Sequence, residues 1–178
     1  MEKNRQGLLH IYCGDGKGKT SAAVGMAVRA AGCGMKVLVI RFLKTENSGE
    51  VEVLRSIPGI TVTPCDRTFG FVFRMTDEQK QEAALYYQSR FEAAAEEAVQ
   101  GQYDLLILDE ILASCNYGMV RETSVVEFLQ NRPEKLEVVL TGRNPSETFL
   151  ELADYVSEIH MRRHPYEKGI PARRGIEF

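Results

Sequence analysis

A glycine- and lysine-rich stretch near the start of the chain has the composition of a phosphate-binding loop. Residues 13–20 read CGDGKGKT and differ from the pattern G-x-x-x-x-G-K-[ST] only at the first position, which is Cys13. Glycines allow backbone N–H groups to turn towards an anion. Lys19 can reach the outer phosphates, and the Thr20 hydroxyl is placed to hold Mg²⁺. We therefore predict a nucleotide site made by Gly14, Asp15, Gly16, Lys17, Gly18, Lys19, Thr20 and Ser21.

The stretch YDLLILDE at residues 103–110 ends in two carboxylates. Its apolar run predicts a buried strand, and ligands bind at the carboxyl ends of the strands in doubly wound sheets. In a phosphate-loop protein an acid at this position holds Mg²⁺, and a following glutamate can polarise a nucleophile. We therefore predict Thr20, Asp109 and Glu110 as metal contacts, and Lys19 and Glu110 as catalytic residues. The alternative is that the two acids only begin the next helix.

Further basic side chains are candidates for anion contacts. Arg29, in the predicted first helix, either points back at the nucleotide or lies on a solvated face. Arg41 ends a continuous apolar run, so we expect that end of the strand to face the ligand crevice. Arg143 follows another predicted strand, and His164 lies in a basic tail at residues 162–178. We expect this tail to cover an anionic ligand, the alternative being a solvated terminus.

Three phenylalanines occupy alternate positions in the segment CDRTFGFVFRM at residues 65–75. Phe69, Phe71 and Phe73 at a period of two are typical of a half-buried strand face. The same spacing would suit an aromatic wall that faces a ligand. The residues alone leave both interpretations open.

Alternating strand and helix patterns predict one α/β domain over residues 1–178. We expect a P-loop NTPase-like (RecA-like), mostly parallel sheet with helices on both faces. Thr76 and Gln79 have the spacing of a capping box, and an apolar stripe in the helix that follows predicts its buried face. That stripe is Ala84, Tyr87, Phe91, Ala94 and Ala98. The predicted strands lie at residues 8–13, 36–42, 60–63, 103–110, 136–141 and 155–160.

Composition excludes several other classes of protein. The formal net charge is −3, which gives no reason to expect a nucleic-acid partner. Four cysteines without a C-x-x-C pair suit a reducing compartment rather than a zinc site or a disulfide framework. No apolar run approaches the length of a membrane span. We therefore expect a cytoplasmic protein with no membrane partner.

Several motifs that occur in one order resemble those of the ATP:corrinoid adenosyltransferases, in their short bacterial form. The resemblance covers essentially the whole chain, and TGR, ELAD and the GIE terminus are not general features of phosphate-loop proteins. Ser21 replaces the usual second threonine, Arg41 replaces a usual glutamine, and KT-ENSGE replaces a more glycine-rich loop. The matching pieces are GDGKGKT at 14–20, residues 23–42, GE at 49–50, LLILDE at 105–110, NRP at 131–133, LTGRNP at 140–145, ELAD at 151–154 and RHPYEKGI at 163–170.

The resemblance implies a reaction and a set of partners. The 5′-deoxyadenosyl group of ATP is transferred to the Co(I) centre of a corrinoid and triphosphate is released, in adenosylcobalamin biosynthesis or salvage. ATP and a reduced corrinoid are then the substrates, with Mg²⁺ or Mn²⁺ as the cofactor. An electron-donating reductase or flavodoxin-type protein is expected as a partner, and the chain is expected to form a homodimer.

The resemblance also implies roles for particular residues. With the nucleotide reversed in the loop, Lys17 and Lys19 hold the departing triphosphate. Thr20 and Glu110, with Asp109, hold the metal. Phe71 and Phe73 match the aromatic pair of the family beneath the corrin ring.

Three alternatives remain open on the residues. A P-loop ATPase or small-molecule kinase would use Glu110 to orient water or an acceptor hydroxyl. A nucleotide switch is less favoured because the guanine-reading motif N-K-x-D is absent from the sequence. A corrinoid carrier is less favoured because the sequence lacks D-x-H-x-x-G.

Overall fold

A computed structural model of the protein describes residues 6–70 and 72–177. The strands in this part of the chain are β1 (Leu9–Cys13), β2 (Val37–Arg41), β3 (Ile60–Val62), β4 (Leu105–Asp109), β5 (Glu137–Thr141) and β6 (Tyr155–Glu158). The α-helices are α1 (Lys19–Gly32), α2 (Glu50–Ser56), α3 (Asp77–Gln100), α4 (Ile111–Asn116), α5 (Glu122–Asn131) and α6 (Glu147–Leu152). Short 3₁₀ helices span Val72–Arg74 and Pro165–Lys168.

The strands form one six-stranded sheet in the order β3-β2-β4-β5-β1-β6, and every pairing is parallel. The predicted α/β fold with a parallel sheet is therefore confirmed. β5 lies between β1, which leads into the phosphate loop, and β4, which ends in the acidic pair. Because all strands run in the same direction, the carboxyl ends of β1, β2, β4 and β5 meet at one edge of the sheet.

Helices cover both faces of the sheet and completely bury three of its four interior strands. Every residue of β2, β4 and β5 is buried, as expected for parallel strands between two helical layers. Alternate strand residues face two different clusters. One cluster includes α3, α4 and α5, and the other includes α1 and α2. By contrast, all four residues of the edge strand β6 are exposed.

The predicted capping box at the start of α3 is confirmed. The Thr76 side chain accepts a hydrogen bond from the N–H of Gln79, whose side chain in turn accepts from the N–H of Thr76. The predicted apolar stripe is correct except at its first position. Ala83 is the fully buried residue there and Ala84 is only partly buried, because the stripe continues towards the N-terminus at a spacing of four.

The interpretation of residues 65–75 as a strand is wrong for the part that the structure describes. Residues 65–70 belong to no strand, and a 3₁₀ helix follows at Val72–Arg74. The segment packs against α3 instead, through contacts of Asp66 with Tyr86 and of Arg67 with Glu82. Just before it, Arg90 of α3 donates to the carbonyls of Thr63 at 3.0 Å and Pro64 at 2.6 Å.

Phe69 and Phe73 differ in their surroundings. Phe69 packs against the rings of Tyr86 and Tyr87, with centroids 5.5 and 5.7 Å apart. Phe73 is 79% exposed, so it is not part of the core. Phe71 lies outside the described residues.

None of the helices in the described part of the chain has the length and apolar character needed to cross a membrane.

Candidate active site

The phosphate loop joins β1 to α1 and is held from behind by the chain that follows β6. The N–H of Gly16 donates to the carbonyl of Ile159 at 2.7 Å. A Cβ on Gly14 would lie 2.4 Å from that oxygen, and one on Gly16 would lie 2.7 Å from it. Gly14 and Gly18 also have φ values of +102° and +127°. The glycines therefore serve both the turn and this close backbone approach.

Lys19 lies across the inside of the loop. Its ammonium donates to the carbonyls of Gly14 and Gly16, both at 2.8 Å, and the residue is 8% exposed. Burial lowers the pKa of this ammonium, which the nearby Glu110 carboxylate opposes. The first residue of α1 thus holds a positive charge at the centre of the loop, beside the N–H groups at the positive end of the helix dipole.

The buried carboxylate of Asp109, at the end of β4, is the meeting point of three structural elements. Its Oδ1 accepts from the hydroxyl of Thr20 at 3.0 Å and from that of Thr141 at 2.7 Å. Its Oδ2 accepts from the ammonium of Lys44, which also donates to the Thr20 hydroxyl at 2.8 Å. Asp109 thereby connects α1, β5 and the loop after β2.

Glu110 follows at the N-cap position of α4 with a left-handed backbone, φ +64°. Non-glycine residues seldom adopt this conformation, which here turns the chain sharply from β4 into α4. Burial is the main cause that raises the pKa of the Glu110 carboxyl, and Asp109 adds to it. Lys44, Lys19 and Arg143 act in the opposite direction. Glu110 therefore begins the next helix and also lies within the charged cluster.

The residues at this point suit a divalent cation that arrives with a phosphate chain. The Thr20 hydroxyl and the Asp109 carboxylate converge on one positive group, the Lys44 ammonium, which marks a cation position between two oxygen donors. Nowhere in residues 6–70 and 72–177 do three or more His, Cys, Asp or Glu side chains converge as a metal site. Mg²⁺ commonly takes one or two protein oxygens and completes its shell with phosphate and water.

A cleft of about 920 Å³ opens in front of the phosphate loop, which is within the size range of ligand sites. Of the predicted site residues, nine line this cleft, whereas Asp109 and Glu110 do not. Lys44, whose ammonium contacts Asp109, lies at the wall instead. The nine are Asp15, Gly16, Lys17, Gly18, Lys19, Thr20, Ser21, Arg143 and His164.

Residues of the basic tail also line the cleft. His164, Gly175, Ile176 and Glu177 line it. The ammonium of Lys17 lies 3.1 Å from the Glu177 carboxylate. Arg173 and Lys17 lower the pKa of the Glu177 carboxyl to about 2.

Asp15 of the phosphate loop lines the cleft and contacts residues from two other parts of the chain. Its Oδ1 accepts from the N–H of Met161 at 2.9 Å, and this hydrogen bond is the main cause that lowers the pKa of Asp15. The guanidinium of Arg143 donates to the backbone carbonyl of Asp15 at 3.4 Å. These contacts connect the phosphate loop to β5 and to the chain that follows β6.

Two predicted contacts lie away from the cleft. Arg29 is exposed in the last turn of α1. Arg41, expected to face the crevice, is 1% exposed and does not line the large cleft. The loop after β2 folds over its guanidinium, which donates to the carbonyl of Thr45 at 2.9 Å and to the carboxylate of Glu46 at 3.0 Å. Arg41 thus supports the loop that carries Lys44.

Lys44 and Thr141 belong to the site but were not among the predicted site residues. Both lie at or just beyond the carboxyl end of an interior strand. Asp109 was predicted as a site residue because it lies at such a strand end. Thr141 is fully buried, and its hydroxyl both donates to Asp109 and accepts from the N–H of Glu110 at 2.9 Å. A polar side chain at the end of a buried strand was therefore the available signal.

We predict that Thr141→Val destabilises the protein, because it leaves the N–H of Glu110 without this acceptor and Asp109 without one of its donors. The free energy of unfolding should fall by about 1–3 kcal/mol, measured by urea denaturation. Thr141→Ser is the matched control, since it keeps the hydroxyl and should recover most of the loss. Equal stability of the valine and serine variants would contradict the role assigned to the hydroxyl.

The amino-acid sequence of this chain matches those of a known protein family. The sequence profile described as ATP:corrinoid adenosyltransferase BtuR/CobO/CobP matches residues 5–178. A corrinoid adenosyltransferase of Pseudomonas aeruginosa is 33% identical over 177 residues, covering 99% of this chain and 86% of that protein. One of Escherichia coli strain K12 is 32% identical, covering 99% of this chain and 88% of that protein.

Among solved structures, the cytoplasmic domain of EssC aligns with a TM-score of 0.50 at 12% identity, a likeness of fold alone. The alignment covers 94% of this chain and 35% of that chain. The family profile and the full-length relatives, by contrast, agree with each other over nearly every residue. The chain belongs to the ATP:corrinoid adenosyltransferase family.

Proposed function

We propose that this protein transfers the 5′-deoxyadenosyl group of ATP to the Co(I) centre of a corrinoid and releases triphosphate. The observation that carries the proposal is a phosphate loop and a buried cation position that share one cleft, in a chain of this family. The cleft supplies what such a transfer requires, which is alignment of the reactants and charge to stabilise the leaving group.

The reaction needs no proton transfer at the bond that is made. The electron pair of Co(I) forms a bond to C5′, and the C5′–O bond breaks with its electron pair on the departing triphosphate. We assign Lys17, Lys19 and the backbone N–H groups of residues 14–20 to this leaving group. The nucleotide would lie reversed, so that C5′ rather than the terminal phosphate faces the cobalt.

We propose Mg²⁺, or Mn²⁺, as the cation that accompanies ATP. Thr20 and Asp109 would hold it, with Glu110 beside them. When bound, it would neutralise negative charge on the triphosphate. The convergence of the Thr20 hydroxyl and the Asp109 carboxylate on an ammonium supports this assignment.

The corrinoid would lie where the cleft is bordered by the segment around Phe73. Thr68 and Gly70 line the cleft, and Phe73 is exposed three residues further on. We propose that Phe71 and Phe73 form an apolar surface beneath the corrin ring. Such a surface would exclude the lower axial ligand and so make Co(II) easier to reduce.

Reduction and cellular context complete the proposal. An electron-donating reductase or a flavodoxin-type protein would supply the electron that converts Co(II) to Co(I), and the chain would act as a homodimer. The four cysteines are all free thiols in the structure, which supports a reducing compartment such as the cytoplasm. The reaction would serve adenosylcobalamin biosynthesis or salvage.

We predict that ATP labelled in its adenosine part passes the label to a chemically reduced corrinoid. Lys19→Ala should lower kcat/KM for ATP by about thirtyfold or more, about 2 kcal/mol, because a buried charge-assisted contact is lost. Lys17→Ala is the matched control and should cost less, since Lys17 lies at the rim and already pairs with Glu177. Label that remains in ADP would contradict the proposed function, and equal losses would contradict the ranking.

We predict that Phe73→Ala separates reduction from transfer. Because Phe73 is exposed, the free energy of unfolding should change by less than about 0.5 kcal/mol. Transfer to a corrinoid supplied as Co(II) with an enzymatic reductant should collapse, whereas transfer to chemically generated Co(I) should largely survive.

Leu85→Ala on α3 is the control for this variant, because Leu85 is 75% exposed and does not line the cleft. It should leave both assays unchanged. Equal loss of both activities in Phe73→Ala, or no loss in either, would exclude a role of Phe73 in the reduction step.

A further inference from the structure

Lys44 lies where the site would hold its divalent cation. The ammonium is 2.8 Å from the Thr20 hydroxyl and contacts Oδ2 of Asp109. These are the two oxygen donors that the proposed function assigns to Mg²⁺. A cation cannot occupy the position between them while the ammonium remains, since two like charges in one buried place repel strongly.

The backbone that delivers Lys44 is firmly anchored. Leu43 has a left-handed backbone, φ +53°, which turns the chain back over the ends of β2 and β4. The N–H of Phe42 donates to the carbonyl of Asp109 at 2.9 Å. The buried Arg41 donates to the carbonyl of Thr45 at 2.9 Å. The lysine stem, rather than the loop, is therefore the part that can change position.

The alternative place for the ammonium is the cleft itself. The Lys44 side chain is 21% exposed, against 3% for that of Asp109, and Lys44 lines the cleft together with Lys17, Lys19 and Arg143. A lysine side chain is a compact charge on a flexible stem. If the ammonium left Asp109, it would move towards the space that a bound phosphate chain would occupy. The phosphate chain would then replace Asp109 as its negatively charged partner.

We propose that Lys44 is a resident counter-ion that exchanges its partner when substrate binds. In the free protein it neutralises the buried Asp109, which would otherwise be a costly unpaired charge. When a divalent cation arrives with the nucleotide, Lys44 leaves Asp109 and pairs with the phosphate chain. This inference rests on the proposed function for the identity of its ligands.

The proposal predicts effects of opposite sign on metal and anion binding. Lys44→Met should tighten the binding of Mn²⁺ alone by about tenfold, because the ammonium no longer competes for Asp109. The same change should weaken the binding of inorganic triphosphate to the Mn²⁺-saturated protein by about tenfold, because the ammonium that the metal releases from Asp109 is then missing from the cleft. A purely structural role for Lys44 would weaken both or neither.

The experiment measures Mn²⁺ binding from the loss of the electron paramagnetic resonance signal of free Mn²⁺. Triphosphate binding is measured by calorimetry at saturating Mn²⁺, and folding by melting temperature. Lys44→Gln is a second variant that keeps an N–H donor for Asp109, and it should show the same two shifts while preserving the fold. Lys80→Met on α3 removes an equal charge at the surface, where Lys80 pairs with Asp77, and should leave Mn²⁺ binding unchanged.

The outcomes separate this inference from the proposed function. Opposite shifts in the Lys44 variants support the exchange of partners. Unchanged or weaker Mn²⁺ binding in those variants, with normal triphosphate binding by the wild-type protein, would overturn the role of Lys44 alone. A wild-type protein that binds no triphosphate, with or without Mn²⁺, would overturn both proposals.

Discussion

The buried carboxylate of Asp109 is the group on which the arrangement of the site depends. Taking a carboxylate out of water costs several kcal/mol unless nearby groups satisfy it. The hydroxyls of Thr20 and Thr141 and the ammonium of Lys44 do so. They come from α1, β5 and the loop after β2, so the groups that stabilise this one charge hold three separate segments together. The phosphate loop is thereby tied to the acidic strand even though β5 lies between β1 and β4.

Much of this arrangement could be predicted because local chemistry determines it. Glycines followed by Lys19 and Thr20 predict an anion-binding turn between a strand and a helix, and the strand β1, the turn and the helix α1 are present. An apolar run before Asp109 predicts a buried strand with its acid at the ligand edge. The capping box at Thr76 is likewise a matter of a few adjacent residues. In each case the residues that determine the structure are neighbours in sequence.

The rest could not be predicted because it depends on which segments become neighbours in space. Lys44 reaches Asp109 only because β2 pairs with β4 and Leu43 turns the chain back. Arg41 resembles a ligand contact at a strand end, yet its own loop closes over it. The alternating phenylalanines suggested a strand, but their segment packs against α3, where Phe69 contacts Tyr86 and Tyr87. Periodicity records which residues share a face and carries no information about such partners.

The same cluster of charges could bind ATP for phosphoryl transfer or for adenosyl transfer. The inorganic product distinguishes the two reactions, because adenosyl transfer releases triphosphate and ATP hydrolysis releases orthophosphate. Phosphorus NMR of the reaction, with and without a reduced corrinoid, measures that product directly. A cleft that holds the phosphate chain as a leaving group should release one intact triphosphate for each corrinoid adenosylated, and none when the corrinoid is omitted. ADP and orthophosphate formed at the same rate without corrinoid would contradict this use of the cleft.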